Sequence, residues 1–233
     1  MGFHPPAPVR FCSRACDTVP GMHDELVHLT TIDNLILDGD LRRADGHASA
    51  GFVVCHPHPL YGGSRHDMVV AAIVEAATRA SCPALAFDFR GVGASQGEHD
   101  GNGAERLDVA AAIDLMSHVV GDLPIIVAGY SFGAATALTV VEPRIGAWIA
   151  VAPPLGMFST PPVAANDHRR KFILMPDHDQ FTSIADTELS IATWTNTTLA
   201  VLAGADHFMA GQFGTTKDSV LDELVSRAIA SVS

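Results

Sequence analysis

Six short apolar runs, at residues 51–55, 84–89, 125–128, 148–152, 171–175 and 198–202, constrain this chain more than any other feature. Each is continuous rather than alternating and is bounded by Gly, Pro or Asp, the pattern of a strand covered on both faces. Between them lie segments of helical period: 68–80, 103–119 with Leu107, Ala111 and Leu115 on one stripe, 133–141, and 219–232 with Leu221, Leu224, Val225, Ala228 and Ile229 in register. Two extended runs, 25–31 and 35–42, precede this series and are joined by the turn residues Asp33 and Asn34. Strand and helix in alternation predict an α/β class, with a mostly parallel, doubly wound sheet and helices on both of its faces. Residues 123–141 carry no charge, which suits a membrane span by length. Gly129, Ser131 and Gly133 in the middle and Pro124 near the start instead predict a buried strand, a sharp turn and a buried helix.

The chain of 233 residues is read as one domain over 22–233, preceded by an irregular arm, 1–21, that holds four prolines with Cys12 and Cys16. The arm has no apolar core of a leader peptide, so no targeting signal is expected. A formal net charge of −12 repels phosphate backbones and anionic lipid, which argues against nucleic acid and membrane partners. Four scattered cysteines are too few for a disulfide framework and predict reduced thiols in a cytoplasm. Nothing in the sequence specifies an oligomeric state.

In open parallel sheets the functional crevice lies beyond the carboxyl ends of the strands, so the residues after each apolar run carry the chemistry. After 125–128 comes Gly129-Tyr130-Ser131-Phe132-Gly133, a G-x-S-x-G pattern between a strand and a helix. A turn this tight exposes the serine and tolerates no side chain at its flanks, so Ser131 is the candidate nucleophile and the Phe132 amide a candidate oxyanion donor. A serine needs a base, and the base needs an orienting carboxylate. His207, in the loop after the last strand, is the candidate base. The segment after 171–175 offers two carboxylates, Asp177 and Asp179. Serine, aspartate and histidine then follow the chain order of the α/β hydrolases.

With these residues in this order, the chain resembles the α/β-hydrolase superfamily, and within it the small cap-less serine esterases related to dienelactone hydrolases. The resemblance runs from about Thr30 to the C-terminus and implies the α/β-hydrolase fold with no substantial cap domain. In such enzymes Gly-x-x-Asp follows the strand. Pro176 occupies the glycine slot, so the acid is expected at Asp179, and Asp177 is left as a solvated turn residue. The segment His56-Pro57-His58-Pro59-Leu60-Tyr61-Gly62-Gly63 stands where the family places the loop with the second oxyanion amide, although Pro57 replaces the usual glycine. Prolines have no amide hydrogen, so His58, Leu60 and Tyr61 remain as donors, His58 first by position and Leu60 second. Arg90 and the glycines of 88–95 resemble the family's structural supports. The resemblance implies ester hydrolysis of a small molecule through an acyl-enzyme, with no metal and no organic cofactor.

Other readings use the same residues. His56, His58, Asp177, His178, Asp179 and His207 are potential metal ligands, but the Asp-His pair of a metallo-hydrolase is missing. Gly91, Gly93 and Gly97 have the wrong spacing for a dinucleotide loop and no acidic residue follows at the required distance. Cys55 ends a buried run as a small core residue. A thioesterase, peptidase or acyltransferase could use the same three side chains, and a non-catalytic binding relative usually lacks the serine or histidine. Residues 153–170 carry Pro153, Pro154, Pro161 and Pro162 and hold at most a short helix. The site is therefore expected to be open, edged by Leu60, Tyr61, Leu155, Met157, Phe158, Phe181 and Phe208, and suited to acyl groups of about two to four carbons, since each unburied methylene forgoes roughly 0.8 kcal/mol.

Overall fold

The computed structural model of this chain describes residues 24–99, 101, 103–213 and 219–232; the arm expected over 1–21 lies outside them. Eight strands run in chain order as β1 (Asp24–Thr30), β2 (Ile36–Arg42), β3 (Gly51–Cys55), β4 (Ala84–Phe87), β5 (Ile125–Tyr130), β6 (Ile145–Val151), β7 (Arg170–His178) and β8 (Thr197–Asp206). They form one sheet in the order β1-β2-β4-β3-β5-β6-β7-β8. β1 with β2 and β2 with β4 pair antiparallel, and the rest of the sheet is parallel. The helices are α1 (Met68–Arg79), α2 (Glu105–Val120), α3 (Phe132–Leu138), α4 (Ile184–Ile191) and α5 (Ser219–Ala230).

Strand parity divides the interior into two cores. Phe52 and Val54 face one side of β3 and pack with α1 and α5 through Val70, Ile73, Leu221 and Leu224. Val53 and Cys55 face the other and pack with α2 and α3 through Val109, Ile113, Met116 and Leu138. Every residue of β3, β4 and β5 is buried, which explains their unbroken apolar sequences. β1, at the antiparallel edge, buries Val27 and Leu29 and exposes His28 between them. The charge-free stretch 123–141 is divided between β5, the turn at Ser131 and α3. Among the described residues no helix is long and apolar enough to cross a membrane.

One ion network, buried at Arg90 and Asp108, ties two loops together. The Arg90 guanidinium donates to Asp108 (2.7 Å) and to Asp33 (3.0 Å), tying the β4–α2 connection to the β1–β2 turn. Asp108 is wholly buried, and desolvation raises its pKa despite the guanidinium beside it. Lys171, also wholly buried, donates to the carbonyls of Ala164 (3.0 Å) and Asp167 (2.5 Å), so a charge at the start of an apolar strand is satisfied by backbone.

Two elements depart from the expectations. β7 and β8 each extend several residues further than their apolar runs, because pairing continues to His178 and Asp206. α4 has only eight residues, with Thr187 fully buried and Ile184 and Ile191 half-buried against the core, too short a stretch for periodicity to announce it. Its local signal is a cap: the Ser183 hydroxyl accepts the Asp186 amide (3.1 Å) and donates to the Asp186 carboxylate (2.6 Å). Between β6 and β7 the chain forms only two short 3-10 turns, Leu155–Met157 and Val163–Asn166, and no cap.

Candidate active site

Ser131 sits between the end of β5 and the start of α3 with φ 52° and ψ −119°, a left-handed conformation that is costly for a residue with a β-carbon. Its amide donates to the Val151 carbonyl on β6 (2.9 Å), and its carbonyl accepts the Ala135 amide (3.0 Å), so both sides of the turn are held. A β-carbon on Gly129 would lie 2.6 Å from the Gly133 carbonyl carbon, and one on Gly133 would lie 2.4 Å from the carbonyl oxygens of Cys55 and His56. The two glycines let α3 start directly against β3 and β5, and the serine hydroxyl is thereby lifted above the carboxyl ends of the strands.

His207 follows β8 immediately. Its Nε2 is 2.9 Å from Ser131 Oγ and its Nδ1 is 2.7 Å from Asp179 Oδ2. An ionised carboxylate only accepts, so Nδ1 carries the hydrogen and Nε2 offers its lone pair to the serine. The other Asp179 oxygen accepts the amides of Phe181 (2.8 Å) and Thr182 (2.9 Å). Burial pushes the Asp179 carboxyl up, but the imidazole and the two amides outweigh it and hold the pKa below the usual value. The histidine backbone is fixed as well, since the buried Tyr130 hydroxyl donates to the His207 carbonyl (2.6 Å) and the His207 amide donates to Gln180 Oε1 (3.1 Å). The rings of Phe181 and Phe208 pack edge-on to the imidazole with centroids 4.5 and 5.8 Å away.

Asp177 is exposed to solvent, as expected, but it is not a turn residue. It lies within β7 and its Oδ1 accepts the amides of Gly204 (2.8 Å) and Ala205 (3.2 Å), tying the end of β7 to the strand that delivers His207. Those amides, Gly204 first, lower its pKa.

The loop 56–63 divides its duties. His56 is wholly buried; its Nδ1–H donates to the Pro57 carbonyl (2.6 Å) and its Nε2 accepts the Phe89 amide (3.0 Å). Burial pushes its pKa down to about 4, so it is a neutral brace between β3 and the end of β4. Pro59–Tyr61 form a 3-10 turn in which the Leu60 amide donates to His58 Nδ1 (3.2 Å) and the Tyr61 amide to the His58 carbonyl (3.1 Å). The second choice of oxyanion donor, Leu60, and Tyr61 with it, are thus already engaged, and the His58 amide is the one left without an acceptor in this turn. The His58 ring packs 4.9 Å from that of Phe132, whose amide opens α3 and so has no intrahelical acceptor.

The alpha/beta hydrolase family matches this chain over residues 52–229. The chain belongs to the alpha/beta hydrolase family. An uncharacterized protein of Rickettsia prowazekii (strain Madrid E) is 28% identical over 207 residues, 82% of this chain and 84% of that protein. An alpha-beta serine hydrolase homologue from Coxiella burnetii is similar in structure with a TM-score of 0.75 at 27% identity, covering 93% of this chain and 100% of its own. A Xanthomonas campestris protein described as an a/b serine hydrolase without lid shares the fold with a TM-score of 0.72 at 23% identity, covering 91% of this chain and 95% of its own.

Within this alpha/beta hydrolase, residues proposed as alternative metal ligands have other partners. His56 serves Phe89, and Asp179 and His207 serve each other. Among the described residues no three His, Cys, Asp or Glu side chains converge as a metal ion would require. On the rim, Leu60, Tyr61, Met157, Phe181 and Phe208 are exposed as expected, Phe158 is half-buried, and Leu155 is instead buried beneath the 3-10 turn it opens. Sequence reasoning missed Tyr130 and Gln180. A phenol ending an otherwise aliphatic strand needs a partner for its hydroxyl, and that signal points to Tyr130; Gln180 has none beyond its place beside Asp179.

Proposed function

We propose that this hydrolase cleaves carboxylic esters of small molecules through an acyl-enzyme on Ser131. The observation that carries this reading is the relay from Ser131 Oγ to His207 Nε2 (2.9 Å) and from His207 Nδ1 to Asp179 Oδ2 (2.7 Å), set on a strained strand-to-helix turn. His207 takes the serine proton as Oγ attacks the ester carbonyl, and Asp179 holds the imidazole in the productive tautomer and stabilises the imidazolium. The Phe132 and His58 amides receive the developing oxyanion, a role that typically contributes about 10²- to 10³-fold per donor. His207 then protonates the leaving alcohol, activates water by removing its proton, and returns that proton to Ser131 when the acyl group leaves as the acid. These steps need no metal or organic cofactor.

The open rim of Leu60, Tyr61, Met157, Phe181 and Phe208 favours short acyl groups, and a small-molecule ester rather than nucleic acid or membrane suits a chain of net charge −12. Cys55 and Cys82, both buried free thiols, are compatible with a reducing cytoplasm as the place of work. The test is a panel of p-nitrophenyl esters, acyl-CoA thioesters and anilides. Efficient turnover of the esters, abolished in Ser131→Ala, supports the reading; a clear preference for thioesters or anilides overturns it.

A further inference from the structure

Three rings meet at the proposed oxyanion site. The His58 ring lies 4.9 Å from that of Phe132, and the His99 ring packs on both, 4.9 Å from His58 and 5.4 Å from Phe132. Tyr61 touches the His58 ring and Phe89 touches that of Phe132, so His99 is, among the described residues, the one further ring in contact with both. His99 belongs to the connection from β4 to α2. Its Nδ1–H donates to Glu105 Oε1 (2.5 Å), and Glu105 is wholly buried in the first turn of α2, where the helix end favours a carboxylate. The His99 side chain is only 8% exposed. Tethered at Nδ1 and packed on two rings, its imidazole is held in one place.

The two amides that would receive the oxyanion belong to separate elements, His58 to the 56–63 loop and Phe132 to α3. Among the described residues no hydrogen bond joins that loop to α3, so packing alone sets the spacing of the amides. Gly133 against the Cys55 and His56 carbonyls makes one part of this contact, and the rings of His58, Phe132 and His99 make another. Burial, with the His99 imidazole beside it, pushes the His58 pKa down, which keeps Nδ1 free to accept the Leu60 amide.

We infer that His99, tethered by Glu105, is a positioning residue of the oxyanion site: its ring clamps His58 to Phe132 and fixes the distance between their amides. The inference rests on Ser131 as the nucleophile and on these amides as the donors. The oxyanion exists only on the way through the tetrahedral species, so loosening the clamp lowers kcat and leaves KM alone. Loss of a whole donor costs about 10²- to 10³-fold, and displacement of a donor that is still present should cost less, about 10- to 100-fold.

The experiment measures kcat and KM for p-nitrophenyl butanoate in the full-length protein, per active site titrated with a fluorophosphonate, so that a misfolded fraction does not enter. His99→Ala should lower kcat by about 10- to 100-fold with KM changed less than about threefold. His99→Phe keeps a ring against both partners and should restore kcat to within about threefold of the unsubstituted protein. A short-chain alkyl trifluoromethyl ketone reads the same site without turnover: Ser131 Oγ adds to its carbonyl, the serine proton passes to His207, and the resulting oxyanion meets the same amides. Its affinity should weaken in His99→Ala by the same factor as kcat. An unchanged kcat per site in His99→Ala, a loss confined to KM, an unaltered ketone affinity, or a His99→Phe variant no better than His99→Ala overturns the inference. Turnover that survives in Ser131→Ala overturns the nucleophile and this inference together. Unchanged His99 variants of an enzyme that Ser131→Ala silences overturn this inference alone.

Discussion

At the scale of single residues, two aspartates two positions apart have opposite duties. Asp179 Oδ2 orients the His207 imidazole, whereas Asp177 Oδ1 gathers the Gly204 and Ala205 amides. Asp179→Asn should therefore lower kcat by about 10⁴ through the wrong imidazole tautomer. Asp177→Asn keeps an acceptor oxygen for those amides and should cost less than about tenfold; a larger loss at 177 in steady-state assays would reverse the assignment. His56 gives a second prediction, read in stability. Its pKa is about 4 when folded against 6.5 for the free side chain, so the unfolded chain takes the proton first as pH falls. Stability from this group is complete above about pH 6.5 and is lost as pH falls toward 4, by about 2 kcal/mol between pH 7 and pH 5. Denaturant midpoints should show that loss in the unsubstituted protein and much less of it in His56→Asn, and equal slopes would count against the buried neutral histidine. Ser131 and His207 were legible in the sequence because the glycines flanking the serine and the loop after the last strand are local signals. The duties of Asp177 and His56 were not, because each is defined by amides that arrive from another loop.

At the scale of elements, the site depends on how closely α3 approaches β3. The β-carbon of an alanine at 133 would press on the Cys55 and His56 carbonyl oxygens, and backbone cannot yield as a side-chain tip can. Gly133→Ala should destabilise the fold by about 3 kcal/mol and shift the oxyanion amides, so that kcat falls in whatever protein remains folded. Thermal unfolding together with active-site titration checks this, and a variant of unchanged stability would contradict the packing described. The buried central strands and the helices that cover them were legible because burial on both faces imposes an unbroken apolar run. α4 was not, since its eight residues place only Ile184, Thr187 and Ile191 against the core, too few to set a period, and the outer portions of β7 and β8 follow from strand pairing rather than from apolar content.

Across the whole molecule, the connection from β6 to β7 decides what can reach the serine. With only two 3-10 turns there, that connection builds no cap, and among the described residues the apolar rim lies open to solvent. Catalytic efficiency toward p-nitrophenyl esters should peak at about two to four carbons, because further methylenes find no wall to bury against, and it should show no jump when a substrate passes its solubility limit. A steady rise to twelve carbons would mean that another part of the chain covers the site. That 153–170 holds no cap was legible from its four prolines and its shortness, whereas the burial of Leu155 was not, since it is set by how the 3-10 turn packs onto the core. The central claim is that Ser131 is the covalent nucleophile, and labelling with a fluorophosphonate followed by peptide mass spectrometry tests it most directly. The account predicts a single adduct on Ser131 that is lost in Ser131→Ala and strongly slowed in His207→Ala; an adduct on Ser64 or Ser95, or undiminished labelling of Ser131→Ala, would contradict it.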